Sequence, residues 1–134
     1  MMAEAKTHRA RASELRSQAE RVKPETAPDA LISLSYYAIY HAAVAALLTA
    51  HGTTPGKHGK IHRALAKLAE TREGEACARE IETAIENAYE MRVRADYEPD
   101  AKLEETRANA ERITALRDTV IAFCDRIIDG TQGA

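Results

Sequence analysis

The segment from Asp29 to Ala50 constrains this chain most, because it is a helix-length run with almost no polar face. Leucine, isoleucine, valine and alanine dominate it. A helix that is apolar on all sides must be surrounded by other helices or by lipid. Serines, tyrosines and a histidine lie through its middle, and each would need a partner in hydrocarbon. We therefore expect the central helix of a soluble bundle, with no membrane contact.

The rest of the chain also has the pattern of helices. Alanine, glutamate, arginine and leucine are frequent, and the β-branched residues show no strand-type alternation. Apolar residues recur at steps of three and four, and they predict helices over roughly residues 3–22, 29–50, 60–71, 75–96 and 101–129. Short connections force neighbouring helices to run in opposite directions. The predicted fold is all-α, an antiparallel up-and-down bundle of four long helices plus one short helix.

Prolines and glycines mark the predicted ends of these helices. Pro28 suits a first helical turn, and Thr26 can cap it. Gly52 and Gly130 are predicted to stop the second and fifth helices. Pro99 is predicted to end the fourth, because proline has no amide donor and restricts the residue before it.

A single domain is expected over residues 1–134, with residues 1–2 and 130–134 frayed. A chain of this length supports one core. Its 45% hydrophobic and 30% charged residues, with a net charge of -2, exclude a disordered chain and a uniformly basic nucleic-acid coat. Cys77 and Cys124 lack the spacing of a zinc site or a disulfide framework. The N-terminus lacks the apolar run of a secretory signal, so a cytoplasmic location is expected.

The fourth predicted helix carries an arginine where its apolar stripe should continue. The stripe runs through Ile81 and Ile85 and reaches Arg92 two turns later, with Tyr89 and Asp96 on the same face. A buried arginine is costly unless a carboxylate or an anionic ligand neutralises it. Two interpretations are open: an ion pair of Arg92 with Asp96 that seals the bundle, or a guanidinium that holds phosphate in a groove.

A basic segment follows the second predicted helix. Between residues 51 and 72 it has five cations and one carboxylate, an excess of four positive charges, which suits either a nucleic-acid contact or a solvated helix face. His58 and His62 have the i, i+4 spacing of metal ligands, but no carboxylate or cysteine nearby completes a shell, and no metal site is expected. The cations are Lys57, Lys60, Arg63, Lys67 and Arg72.

Polar aromatic residues line one face of the second predicted helix. Tyr37, Tyr40 and His41 share this face. Such side chains inside a bundle usually form hydrogen bonds that fix the helix register. We predict a structural role for these three as buried polar residues.

Three sequence segments together resemble the HEPN domain family. They are SYYAIYHAAVAALL at 35–48, KHG at 57–59 and MRVRADYEP at 91–99. The last is similar to the stand-alone prokaryotic branch, whose fourth helix ends in arginine, two residues, then Ala-Asp-Tyr. Arg92, Asp96 and Tyr97 match that signature together with Ala95, and His58 matches the histidine that follows the glycine-containing loop.

The resemblance implies a homodimer, often encoded beside a minimal nucleotidyltransferase in toxin-antitoxin or defence systems. Many family members cut RNA without metal, using an arginine and a histidine four to six residues further on. Here the residue five beyond Arg92 is Tyr97, and an ordinary phenol stays protonated at neutral pH, which makes it a poor base.

Three functions are therefore open, and none of them requires a cofactor. The first is binding of nucleotide or RNA phosphate through Arg92, with Asp96 and Tyr97 orienting it and Lys57 and His58 contributing. The second is a metal-independent endoribonuclease toxin with an altered site, in which Arg92, Tyr97 and His58 are catalytic. The third is a non-catalytic dimerisation module, in which Arg92 and Asp96 lock the interface.

Overall fold

Five α-helices make up the protein, seen in a computed structural model that describes residues 2–98 and 102–133, with side chains up to residue 130. No strand occurs within these two ranges. The all-α helical bundle predicted from the sequence is confirmed. The helices are α1 (Ala3–Glu20), α2 (Pro28–His51), α3 (His58–Glu73), α4 (Glu75–Tyr97) and α5 (Leu103–Gly133).

Helix α2 is the centre of the bundle and packs against each of the other four helices. Most of its leucines, isoleucines and alanines are buried, from Leu31 to Leu48. By length and hydropathy α2 could cross a membrane, but 72% of its most apolar window is buried inside the protein. Its apolar character is therefore explained by protein neighbours, as expected for the core helix of a soluble domain.

The boundaries of α2 lie close to those predicted. Pro28 is in its first turn, and Gly52 ends it in the left-handed conformation with a φ of 75°. Thr26 does not cap the helix as predicted, because Ala27 occupies the N-cap position and no side chain bonds to the exposed amides there. Hydrogen bonds to Lys23 instead hold the turn that precedes the helix.

The end of α5 differs from the prediction, whereas α4 ends within one residue of the predicted position. Gly130 does not stop α5, which continues to Gly133, because a glycine ends a helix only where it adopts a left-handed conformation. Helix α4 ends at Tyr97, and Glu98 is extended. Pro99, which was predicted to cause this end, lies outside the described residues, as do Ala101, the predicted start of the fifth helix, and the two terminal residues.

Helix α3 is longer than predicted and starts at His58. This start places His58 in the first helical turn, where α3 packs against α2. A single residue, Gly74 with a φ of 99°, then separates α3 from α4. Helices α3 and α4 pack against each other and against α2, whereas α1 packs on α2, and α5 packs on both α2 and α4.

Candidate functional site

Arg92 lies in the last two turns of α4, and its side chain is only 13% exposed. Its Nε is 3.0 Å from a carboxylate oxygen of Asp96, one helical turn further on. Its Nη2 donates a 2.8 Å hydrogen bond to the hydroxyl oxygen of Tyr37 on α2. The ion pair predicted from the i, i+4 spacing is present, and a neutral phenol supplies the second partner.

Tyrosine rings surround the guanidinium of Arg92. Its central carbon lies 5.3 Å from the ring centre of Tyr37, 5.7 Å from that of Tyr97 and 5.9 Å from that of Tyr36. Aromatic faces attract a cation but do not satisfy its N–H groups. Tyr97 itself is 67% exposed, so this side of the arginine borders solvent.

The guanidinium of Arg92 is not saturated by these partners. Although Asp96 is at ion-pair distance, the buried Nε forms no hydrogen bond within the described part of the chain. The Nη1 atom likewise has no described acceptor. Because a guanidinium has five N–H donors, this arginine keeps donors that an anionic ligand could use.

A second group of polar rings lies beside the arginine. The hydroxyl of Tyr36, which is fully buried, is 2.7 Å from Nδ1 of His58 and 3.0 Å from Nε2 of His62. The ring of Tyr40 stacks on His58 at 4.7 Å, and the ring of Tyr89 lies 5.8 Å from it. Three helices thus contribute to one polar cluster inside an otherwise apolar bundle.

The pKa values of this cluster reflect its burial. Burial, together with the neighbouring His58, lowers the pKa of His62 to about 4. Burial and the positive charge of Arg92 lower the pKa of His58. Burial raises the pKa of Tyr36. At neutral pH both imidazoles are therefore uncharged and the phenol keeps its proton.

The aromatic cluster extends to α1 through His41. Nδ1 of His41 lies 2.8 Å from Nδ1 of His8, and the two rings stack with centres 5.1 Å apart. Burial, followed by the charge of His8, lowers the pKa of His41. The ring of Tyr40 lies 5.3 Å from His41 and connects this pair to His58.

The structure brings together most of the residues singled out from the sequence. Arg92 contacts Asp96, Tyr97 and Tyr37, and His58 joins this group through Tyr36. Lys57 is exposed at the N-cap of α3, and its side chain forms no hydrogen bond or ion pair with the described residues. The residues predicted to be buried, Tyr37, Tyr40 and His41, are half-buried.

Sequence reasoning missed Tyr36, the most buried tyrosine, and gave His62 no role in the site. The sequence contains two pairs of polar aromatic residues four positions apart, Tyr36 with Tyr40 on α2 and His58 with His62 on α3. Pairs at this spacing share a helix face. The histidine pair was considered only for metal binding, and the tyrosines of α2 only for fixing the helix register. The described residues contain no group of three or more histidines, cysteines or carboxylates that could hold a metal ion.

The family model of the HEPN domain matches residues 5–127. The chain belongs to the HEPN domain family. No curated protein matches the sequence. Family membership indicates a function that involves nucleotides or RNA. In this HEPN domain Tyr97 stands five residues after Arg92, and the histidine that joins the arginine cluster is His58, which comes from a different helix.

Proposed function

We propose that this HEPN domain binds the phosphate group of a nucleotide or of RNA through Arg92. The observation that carries the proposal is a guanidinium, 13% exposed, whose Nε has no hydrogen bond within the described residues. Such a donor is costly to bury unless a partner arrives. Arginine presents its N–H groups as a planar fork that suits a phosphate.

Asp96 and Tyr97 have distinct roles in this proposal. Asp96 holds the guanidinium from the C-terminal side, but its negative charge also competes with an incoming anion. Tyr97 leaves most of its ring exposed beside the arginine. An exposed aromatic face can stack on a nucleobase, with an affinity that depends little on which base it is. Arg92 would thus hold the phosphate while Tyr97 contacts the base.

The exposed face of α3 supports an anionic ligand. Its basic residues form no ion pair with any residue that the structure describes, whereas eight arginines elsewhere do. Uncompensated cations raise the local positive potential and attract polyanions over a distance of about 10 Å in ordinary salt. Lys57 at the start of α3 contributes in this way, through charge and without direct contact.

The wider setting of the proposal comes from the resemblance. We infer a cytoplasmic homodimer that acts in a toxin-antitoxin or defence system beside a minimal nucleotidyltransferase. The support is the Arg92, Asp96 and Tyr97 signature at the end of α4. In a symmetric dimer, the partly exposed Arg92 sites of the two protomers can meet in one cleft.

The proposal is tested by titrating the protein with inorganic phosphate, ATP and a short single-stranded RNA while following thermal unfolding. A ligand that binds only the folded state raises the midpoint. We expect a rise that is lost in Arg92→Ala. The matched control is Arg79→Ala, which removes an exposed i, i+4 pair with Glu75 from the same helix. Equal responses of all three proteins, or no response of the wild type, would contradict the proposal and leave Arg92 a structural role.

A second candidate, metal-independent RNA cleavage, is favoured by the position of His58. A neutral imidazole within the electrostatic reach of Arg92 can act as a general base toward a ribose hydroxyl. We expect RNA cleavage in the presence of a chelator to be lost in Arg92→Ala and in His58→Ala. His51→Ala, which changes an exposed histidine at the end of α2, is the control. Unchanged cleavage in both site variants would rule this candidate out.

A further inference from the structure

Tyr36 is the only described group that contacts both histidines of α3 through one atom. Its hydroxyl oxygen lies 2.7 Å from His58 Nδ1 and 3.0 Å from His62 Nε2. Both distances are those of hydrogen bonds. The phenol is fully buried, so water does not offer it an easy alternative partner.

Counting protons restricts how these hydrogen bonds can form. A phenol has a single O–H donor, and a neutral imidazole has one N–H and one acceptor nitrogen. Tyr36 can therefore donate to at most one of the two histidines. If both histidines donated to its oxygen, the buried O–H would have no acceptor among the described residues, so one histidine accepts and the other donates. Both histidines are neutral at pH 7 because their pKa values are lowered.

Only two arrangements satisfy both hydrogen bonds and also give the phenol O–H an acceptor. In the first, Tyr36 donates to His62 Nε2 and His58 donates from Nδ1, so both imidazoles carry their proton on Nδ1. In the second, Tyr36 donates to His58 Nδ1 and His62 donates from Nε2, so both carry it on Nε2. Passing from the first to the second adds one proton at His58 Nε2 and releases one from His62 Nδ1, with no change in net charge.

We propose that Tyr36 couples the tautomers of His58 and His62, and that a phosphate bound at Arg92 selects the arrangement in which both rings carry their proton on Nε2. The second part rests on the proposed function. It follows because Nε2 of His58 has no partner among the described residues, and a phosphate oxygen accepts an N–H but repels a lone pair. Tyr36 is a positioning residue in this scheme, since it acts on the ligand only through His58.

The coupling is measured by the ring nitrogen resonances of the histidines in labelled protein at pH 7. We expect His58 and His62 to show equal fractions of the Nε2–H tautomer. The pair His8 and His41 is an internal control, because a direct contact between two Nδ1 atoms requires opposite tautomers. Opposite tautomers of His58 and His62 in the wild type would overturn the coupling.

Variants separate the coupling from the folding of the cluster. Tyr36→Phe keeps the ring and removes the hydroxyl, and we expect the tautomer fractions of the two histidines to become unequal. His62→Asn is a second test. In this variant we expect the tautomer fraction of His58 to differ from its value in the wild type. Fractions unchanged in both variants would overturn the proposal.

Adding inorganic phosphate tests the link to the ligand site. In the wild type we expect both histidines to move toward the Nε2–H tautomer, although Nε2 of His62 is bonded to Tyr36 and does not meet the ligand. In Tyr36→Phe only His58 responds, and in Arg92→Ala neither does. If phosphate changes no histidine while the fractions in the free protein stay equal, the proposed function fails but the coupling holds. If His62 still responds in Tyr36→Phe, the coupling through Tyr36 is wrong.

Discussion

Two arginines, Arg92 on α4 and Arg117 on α5, bond to side chains in the same turn of α2. Arg117 on α5 is 3% exposed, and each of its three side-chain nitrogens has a polar partner. Nε donates to Asp118 at 3.0 Å, Nη1 donates to Ser35 at 3.3 Å, and Nη2 lies 4.0 Å from Glu20. Arg92 is nearly as buried but has one carboxylate neighbour, one phenol and an Nε without a hydrogen bond in the described residues.

The difference shows that burial does not by itself mark an arginine as functional. Arg117 uses its donors on groups of its own chain, and its hydrogen bond to Ser35 links α5 to α2. Arg92 is surrounded by rings that stabilise a cation without taking up all of its N–H groups. Arg117 is therefore an arginine that stabilises the fold, whereas Arg92 is an arginine that can bind a ligand.

The largest expected effect is on stability, at Arg117. Arg117→Ala removes one side of a buried polar network, which costs about 3 kcal/mol of unfolding free energy, whereas Arg92→Ala removes a hydrogen bond worth about 1 kcal/mol. Arg117→Met, which fills the volume without a charge, should recover much of the loss. Urea denaturation measures the unfolding free energies of the three variants. Equal losses at the two arginines would break the distinction between them.

His62, on the Arg92 side of α2, should contribute to the pH dependence of stability. The folded state keeps His62 neutral because its pKa is about 4, while the unfolded chain binds a proton below the ordinary value of 6.5. Unfolding therefore takes up a proton, and stability falls as pH drops from 7 toward 4. The part due to His62 is about 2 kcal/mol between pH 7 and pH 5. Urea denaturation of His62→Asn at both pH values should show a drop that is smaller by this amount. An identical drop in variant and wild type would contradict the pKa assigned to His62.

Ligand affinity is the next effect in size, at Arg92. Loss of a charge-assisted hydrogen bond to phosphate should weaken binding of ATP or RNA by about tenfold or more in Arg92→Ala. Arg92→Lys keeps the positive charge but not the planar fork of N–H donors. Its ligand affinity should lie between those of the wild type and Arg92→Ala. Titration calorimetry gives the affinities, and Arg117→Met, if folded, should bind as the wild type does.

The smallest effect is expected at Asp96, and its sign is informative. If Arg92 serves a ligand, Asp96→Asn removes a competing charge and should strengthen phosphate binding by about two- to fivefold, with less than about 1 kcal/mol of stability lost. Titration calorimetry with phosphate measures this change in affinity. If Arg92 serves only the fold, the substitution changes stability alone, and phosphate binding is absent in both proteins.

The elements and the Arg92–Asp96 pair could be predicted because they depend on local spacing. The apolar run of α2 required neighbours on all sides, and residues four apart on α4 share a face whatever the rest of the fold does. Gly130 shows the limit of such rules, because a glycine near a chain end can either stop a helix or continue it, and only the backbone conformation decides.

The aromatic half of the site could not be predicted in the same way. The contact of Tyr36 with His58 and His62 depends on how α2 and α3 are rotated against each other, and helix periodicity does not determine that rotation. Either Tyr36 or Tyr37 could have been the buried tyrosine from spacing alone. The start of α3 at His58, two residues earlier than predicted, also fixes where this histidine lies relative to α2.

The resonances of the arginine Nε–H groups test the distinction most directly, because one spectrum of labelled protein reports Arg92 and Arg117 together. Arg92→Lys and Arg117→Met assign the two signals. On addition of inorganic phosphate or ATP, we expect the Arg92 signal to shift in a saturable way while the Arg117 signal stays in place. If neither signal moves, or if both move equally, Arg92 is a structural arginine like Arg117 and the proposed ligand site is wrong.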